Sequence, residues 1–513
     1  MLWPRRTSQF PTHSYHSPRR KHHPQKASRQ RPSAHPRRPR PPRQPINRSL
    51  ARTAETPHRP LRVKQDSLTI LGGGVCGLYA AHQALEHGAH VTLFEKENHF
   101  GGLAAGHQHQ GNWFDLGVHM LHAFDKEVYA TCQAAMGDER LEVPLKSHIK
   151  WGRKLYHYPL RGRDILAGIP PFTLGRCLIG LILAEIQSRF PTRPQGTDAE
   201  SALIELYGSP LYEFFFEDFT ERYWGIHPRQ LSAEFVRRKM PRLSALDVFK
   251  NLLEKLNLAK PRDASEGALR FETLHYSKTG SETLPRSLAK SLQNRGAQLR
   301  TDSLIQKIYH DQQRITGLTI HGSPLYNPFT SFVSTLPLPL FVELLEPTPP
   351  PEVIAAAHQL RFKPMTVYAL LVKKKQCMEA LYTYYRDRIF HRVGEPKNAG
   401  LQVTPSDHTT LIIETTCEFG DHKWKGDALP QILKDLEAEG LCHSEQVVSH
   451  HLIHSPYAYP IFSLGFEKHL QIVQDYLATF SNLRSTGRQG AFTYPNMHSA
   501  MRMGATAATE LLS

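Results

Sequence analysis

Shortages narrow this 513-residue chain before any motif does. It has only six cysteines, Cys76, Cys132, Cys177, Cys377, Cys417 and Cys442, and none are paired as C-x-x-C. No hydrophobic signal segment precedes the globular pattern, so a reduced, cytoplasmic compartment fits best. No apolar run is long enough to span a bilayer. The most apolar stretch, CLIGLILAEI from Cys177 to Ile186, reads as a buried helix, with a monotopic, peripheral membrane contact as the alternative. There is no H-E-x-x-H, and no catalytic triad or carboxylate dyad is visible.

Acids are nearly absent from the first 64 residues. That stretch carries 17 Lys and Arg against the single Glu55, which accounts for the whole formal charge of +16. The other 449 residues balance at 46 basic and 46 acidic side chains. The basic character therefore belongs to a tail, and no nucleic-acid partner is expected for the folded body. The tail holds 12 of the 38 prolines and almost no aliphatic residues, so it cannot bury a core. Three roles compete for residues 1–64: an Arg-rich, acid-poor import segment for an organelle, a tether to nucleic acid or another anionic surface, and an unstructured extension with no catalytic part. The last includes a start assigned upstream of the globular pattern, which begins near Asp66.

What is present starts with LTILGGGVCGLYAAHQALEHGAHVTLFEK, ending at Lys96. A short β-rich run leads into glycines. A stretch of helical periodicity follows, with Leu78, Ala81 and Leu85 on one face, and Gly88 ends it. HVTLFEK is then a second strand. The β-α-β unit carries G-x-G-x-x-G at its first turn: Gly72 for the tight turn, Gly74 for close approach of a pyrophosphate, Gly77 for helix-on-strand packing. The helix N-terminus offers free N–H groups and a partial positive charge to phosphates. Glu95 stands 23 residues after Gly72, where an acid can accept hydrogen bonds from ribose hydroxyls. A dinucleotide site is expected.

A second glycine pair, Gly101 and Gly102 with Leu103, and the stretch FDLGVHMLH from Phe114 to His122 follow soon after. Together these resemble the FAD-binding superfamily that holds flavin amine oxidases, protoporphyrinogen oxidases, phytoene desaturases and UDP-galactopyranose mutases. The resemblance implies FAD as cofactor, with the glycine pair and the D-x-G-x-H stretch, including His119, along the ribityl chain and flavin. GRQGAFTYPNMHSAMRMGATAATELL, near the C-terminus, resembles the closing element of the same superfamily, which implies that Gly487, Arg488, Asn496 and Met497 join the cofactor site. The fold class implied is α/β. A discontinuous Rossmann-like FAD-binding domain (residues 66–150, 266–340 and 466–513) would carry an inserted substrate domain, helical over 151–265 and a mixed sheet over 341–465. GAQLRTDSLIQKIYHDQQRITGLTI and SFVSTLPL read as strands of the FAD domain.

The middle of the chain, with W-G-x-x-P-x-x-L-S from Trp224 to Ser232 and a basic R-x-P segment after it, looks like UDP-galactopyranose mutase and its relatives. That likeness implies Trp224 and Arg238 at a nucleotide-sugar site, Arg361 as a further diphosphate contact, and Tyr494 in the closing motif. Two positions depart from it: the family's aspartate is Asn496, and a substrate-site tyrosine is Phe219. Read physically, Trp224 and Phe214–Phe216 are also simple core aromatics, and Arg237, Arg238 and Lys239 are also a solvated face near the bend at Pro241. His119 and His122 have no third ligand at metal spacing, so no metal is expected. SHHLIHSPYAYP is His-rich, and its Tyr459 either lines a substrate wall or packs a strand end. Three functions remain: a mutase-like isomerase on a nucleotide sugar or glycan precursor with flavin N5 as the reactive centre, an oxidoreductase on a porphyrinogen, polyene or amine, and a non-catalytic FAD-binding scaffold with a working basic tail. No residue predicts an oligomeric state.

Overall fold

The computed structural model describes residues 66–158, 170–188, 196–239, 273–326 and 330–513. The tail of residues 1–64, and Pro241 with the segment around it, lie outside the described residues.

Ser67–Leu71 forms the middle strand of a five-stranded parallel sheet. Leu68, Thr69, Ile70 and Leu71 are all buried, as in a strand covered on both sides. His90–Phe94 pairs on one edge and Gln298–Arg300 extends it; Ser331–Ser334 pairs on the other, followed by Leu483–Ser485. This is the Rossmann-like arrangement, built from stretches of chain far apart in sequence. Only the first piece of GAQLRTDSLIQKIYHDQQRITGLTI joins it. Ile305–His310 and Ile315–Ile320 pair antiparallel in a separate four-stranded sheet.

The helix after the glycine turn, Val75–Glu86, packs along the closing helix, Met497–Leu512. Both present small residues at the seam: Ala80, Ala81 and Ala84 on one, Gly504, Ala505 and Ala508 on the other. The approach is close enough that a Cβ on Gly504 would collide with the Cys76 carbonyl; on the other side of the first helix, a Cβ on Gly77 would collide with the Gly72 carbonyl of its own turn. Burial in this seam pushes the Cys76 thiol up to about 12, so it stays protonated and inert.

A second large sheet has seven strands, in the order Val447–Pro460, Phe362–Val372, Thr409–Thr416, Arg392–Gly394, Tyr382–Tyr385, Ser147–Trp151 and Lys154–Tyr158. Two of its inner strands, Phe362–Val372 and Thr409–Thr416, are buried along nearly their whole length. Short helices over Ala199–Tyr207, Ser209–Phe215 and Glu217–Trp224 share a core with one face of it.

The apolar CLIGLILAEI stretch lies in an 18-residue helix, Pro171–Ser188, that is only half buried. Cys177, Gly180, Leu181 and Ala184 pack inward, while Phe172, Ile179, Ile182, Leu183 and Ile186 are exposed among the described residues. The expectation of a buried helix is corrected here: the run is apolar all round, but its neighbours cover one face. No helix among the described residues is long and apolar enough to cross a membrane.

Replacing Gly504 by Ala should cost about 1–3 kcal/mol through overpacking of the two-helix seam. Gly175→Ala, in open space on the exposed helix, should be neutral or slightly stabilising. Thermal melts of the two variants beside wild type test this; equal melting temperatures would remove the seam as a constraint.

Candidate active site

The cofactor end is built from backbone. Gly72, at φ +105°, turns the chain out of the first strand. The helix that follows begins at Gly74 with no side-chain cap, so its first N–H groups are left for an anion. Gly101 donates its N–H to the Gly73 carbonyl at 2.9 Å, and a Cβ on Gly102 would reach within 3.1 Å of the Gly74 Cα. The two glycine motifs thus meet backbone to backbone, and Leu103 continues into a short 3-10 turn. Glu95 is buried just past the second strand; its Oε2 accepts from the Gly73 N–H at 2.7 Å and its Oε1 from the Glu97 N–H at 3.0 Å. An ionised carboxylate has about four acceptor sites. Two are used here, which leaves capacity for a ribose hydroxyl.

The closing element reaches the same place. Gly487, at φ +80°, lies against Cys76, and a Cβ there would sit 2.9 Å from the thiol sulfur. Arg488 follows, donating to the carbonyls of Pro495 at 3.1 Å and Ala458 at 3.4 Å. Its guanidinium lies 4.6 Å from the Tyr494 ring centre and 5.9 Å from that of Tyr459. Asn496 and Met497 sit at the start of the closing helix; Asn496 is exposed and makes no side-chain cap bond.

The D-x-G-x-H stretch connects the two sheets. Asp115 is buried, accepting from the Tyr276 hydroxyl and, at 3.0 Å, from the Ser281 N–H. Burial raises its carboxyl to about 6, with those hydrogen bonds acting against the rise. Two residues on, Gly117 at φ +130° lies against Glu414, so a Cβ would be 3.3 Å from that carboxylate. His119 is neutral near pH 7: burial, then the charge of Arg488, lower it to about 4. Its Nδ1 is buried without a hydrogen-bond partner. His122 stacks on Phe124 and abuts His498. Among the described residues no group of three or more His, Cys, Asp or Glu is placed to hold a metal.

Facing that loop is a wall from the seven-stranded sheet. Glu414 lies directly opposite Arg392 across two strands. They form a bidentate pair at 2.7 and 2.6 Å, and His391 Nε2 lies 3.6 Å from the same carboxylate. Burial alone would raise Glu414; the charge of Arg392 and its two hydrogen bonds, with His391 close by, prevail and hold it at about 2. Tyr459 packs against Tyr494 at 5.4 Å, Tyr223 at 5.5 Å and Trp224 at 6.4 Å between ring centres. Tyr223 lies 4.8 Å from the ring of His391. Burial lifts the phenol pKa values of Tyr223, Tyr459 and Tyr494, so these rings act as uncharged walls.

The structure therefore brings Trp224, Tyr459, Tyr494 and Arg488 together near His119. Trp224 is also a core residue, 3% exposed. Arg361 is exposed at the start of its strand, and its carbonyl accepts from the Ile461 N–H. Arg238 lies in the helix Ala233–Lys239, with its side chain outside the described residues. Sequence reasoning missed Arg392, Glu414, His391 and Tyr223. One signal was there: Glu414 is a lone acid inside TTLIIETT, and an acid in an apolar strand is seldom buried unpaired.

With this geometry in hand, the class is clear. The family model described as flavin containing amine oxidoreductase matches residues 75–512, and the chain belongs to that family. Its cofactor is FAD, and the capless glycine turn and the orphaned His119 nitrogen fit such a group. Among solved structures, a reduced UDP-galactopyranose mutase is similar at 20% identity and TM-score 0.74, over 87% of this chain and 96% of that one. A protoporphyrinogen oxidase candidate from Exiguobacterium sp. 255-15 is similar at 16% identity and TM-score 0.64, over 87% and 98%. A redesigned putrescine oxidase is similar at 13% and 0.60, over 87% and 99%. These likenesses show the fold. The 4,4'-diaponeurosporene oxygenase of Staphylococcus aureus is 39% identical over 54 residues, so the match spans 10% of this chain and 11% of that relative.

Glu414→Gln should destabilise the protein by roughly 3–5 kcal/mol, because it strands a buried guanidinium. The native pair stabilises fully above about 4.5 and loses that contribution as pH falls toward about 2, since the folded carboxyl is the depressed one. Denaturant melts at pH 7 and pH 3 test both points: the gap between variant and wild type should narrow at the lower pH, and an equal gap would contradict the assignment.

Proposed function

We propose that this chain is an FAD-dependent enzyme acting on a nucleotide sugar or related glycan precursor in a mutase-like manner. The observation that carries this reading is the wall of uncharged aromatic rings, Tyr223, Trp224, Tyr459 and Tyr494, set beside the fixed cation of Arg488, which is held by carbonyls and ring faces. Such rings stack on a sugar or base face, and fixed cations suit an anionic substrate.

When bound, the flavin supplies the reactive ring. Gly72, Gly74, Gly77, Gly101, Gly102 and Leu103 would cradle the dinucleotide, with Glu95 on a ribose. Arg488 and Gly487 would close the ring end, and Asn496 and Met497 would place the closing helix start beside it. His119, neutral and unpaired at Nδ1, can accept or donate one hydrogen bond there. The Arg392–Glu414 pair fixes the opposing wall and holds the Gly117 loop at its distance. Arg238 and Arg361 stay as candidate diphosphate contacts by family likeness.

A second reading, an oxidoreductase on a porphyrinogen, is supported by Phe219 and Asn496, which stand where the mutase pattern has a tyrosine and an aspartate. A polyene or amine suits the cations less well. The exposed apolar helix face carries Arg176, and Arg161, Arg163, Arg189 and Arg193 flank it in sequence, so a peripheral contact with an anionic bilayer belongs to the same proposal.

Purified protein should show a flavin spectrum that shifts on titration with UDP-galactopyranose, and turnover should require prior reduction. A flavin indifferent to UDP-sugars but reduced anaerobically by a porphyrinogen would favour the second reading. A flavin that no substrate reduces or perturbs would leave a scaffold. For the membrane contact, co-sedimentation with phosphatidylserine vesicles should fall severalfold in Ile179→Glu; equal sedimentation would remove it.

A further inference from the structure

Tyr223 and His391 of the aromatic wall also line a cavity of about 130 Å³. That is room for about four waters at ~30 Å³ each. Three cations border it: Arg222, Arg388 and Lys423. Arg388 is already neutralised, with Nε 2.8 Å and Nη2 2.5 Å from Glu439. The other two are held by backbone carbonyls. Arg222 donates to the Arg388 carbonyl, and Lys423 Nζ donates to that of Thr416 at 3.2 Å. No carboxylate of the described residues forms an ion pair with either. The acids around them, Asp218, Asp387 and Asp435 near Arg222 and Asp421 near Lys423, act only at longer range. Burial, more than any neighbour, makes it harder for both groups to hold a proton, and the charge of Arg222 adds to the effect on Lys423. Two cations thus face one small, partly desolvated space with no carboxylate in direct contact, an arrangement that suits a bound anion.

We propose that this cavity seats a phosphate group of the substrate, with Arg222 and Lys423 as its charged clamps and Phe219 and Tyr223 packing the ring portion beside it. The ligand class rests on the nucleotide-sugar reading above. Arg222 presents a fork of N–H groups and Lys423 a point charge, a combination suited to phosphate oxygens. The cavity adjoins the wall through Tyr223 and His391, and His391 is next to the Arg392–Glu414 pair that meets the Gly117 loop. A phosphate held here thus places the rest of the ligand against that wall. Phe219, which departs from the mutase pattern, lies 5.9 Å from Tyr223 and 6.5 Å from Tyr384 between ring centres, so the departure falls at this seat. Arg361 is not among its lining residues.

The test is calorimetric titration of FAD-loaded, full-length protein with inorganic pyrophosphate, UDP and succinate. Pyrophosphate and UDP should bind, and Arg222→Gln and Lys423→Met should each weaken them about tenfold or more. Added salt should weaken binding to wild type, and Lys468→Gln, an equal charge change on a remote exposed helix position, should change nothing. Flavin absorbance and a thermal melt on each variant show that it is folded and loaded. Unchanged affinity in both folded variants, no pyrophosphate binding to loaded wild type, or succinate binding as tightly as pyrophosphate would overturn the seat. Failure of wild type to hold flavin at all would overturn the enzyme reading instead, so the two failures are distinguishable.

Discussion

The close contact between the first and last helices governs the architecture. Gly77 and Gly504 exist as glycines because backbone carbonyls occupy the space a Cβ would take, and Gly487 because Cys76 does. A parallel sheet of five short strands is stable only when both faces are covered. Here part of that cover comes from the chain's end, more than 400 residues after its first strand. The cofactor end is therefore complete only when the C-terminal segment has docked. Long-range closure of this kind is slow to form, and it ties cofactor geometry to global folding. A helix start with no side-chain cap leaves its first N–H groups to solvent, and a bound pyrophosphate would reward the closure by satisfying them.

The second sheet solves a different problem. It carries a fully buried carboxylate and a largely buried guanidinium into the sheet. Each alone would be costly; as a bidentate pair with His391 beside them they are tolerated. The choice has a geometric result. A hydrophobic pair would pack as well but would not hold the Gly117 loop, where the Glu414 carboxylate fills the space beside a left-handed glycine. The pair also sets the charge on the wall: Glu414 is spent on Arg392, and Arg488, held by carbonyls and aromatic faces, keeps its charge for whatever lies beside it.

The nucleotide half was legible because its signals are local. Glycine spacing, a flanking strand and helix, and an acid at the strand end all lie within 30 residues, and each is dictated by backbone geometry near a phosphate. The closing helix was legible for the same reason, its small residues at helical spacing. The wall was not. Tyr459 stood out in its strand, but Tyr223, His391, Arg392 and Glu414 come from a helix and two other strands, and only sheet register brings Arg392 opposite Glu414. Register is invisible in a single sequence when the strands are buried on both faces, because no alternation marks which residues share a side. The apolar Pro171–Ser188 helix misled in the opposite way: composition announces burial, but only the neighbours decide which face is covered.

A site for a polyene or another hydrocarbon gains nothing from charge, and cations beside it would cost desolvation with no return. A site for an amine would place like charge against Arg488 and Arg222. An anionic substrate, as proposed, reverses both signs: it gives Arg222 and Lys423 a direct counter-charge and lets the rings of Tyr223 and Tyr459 pack without competing for charge. The balanced charge of residues 65–513 hides this, because whole-chain totals do not resolve where a cation has no carboxylate beside it. Among the described residues Arg388 and Arg392 have carboxylates, whereas Arg222 and Lys423 bond only to carbonyls, and on the proposed reading that difference is what selects an anion.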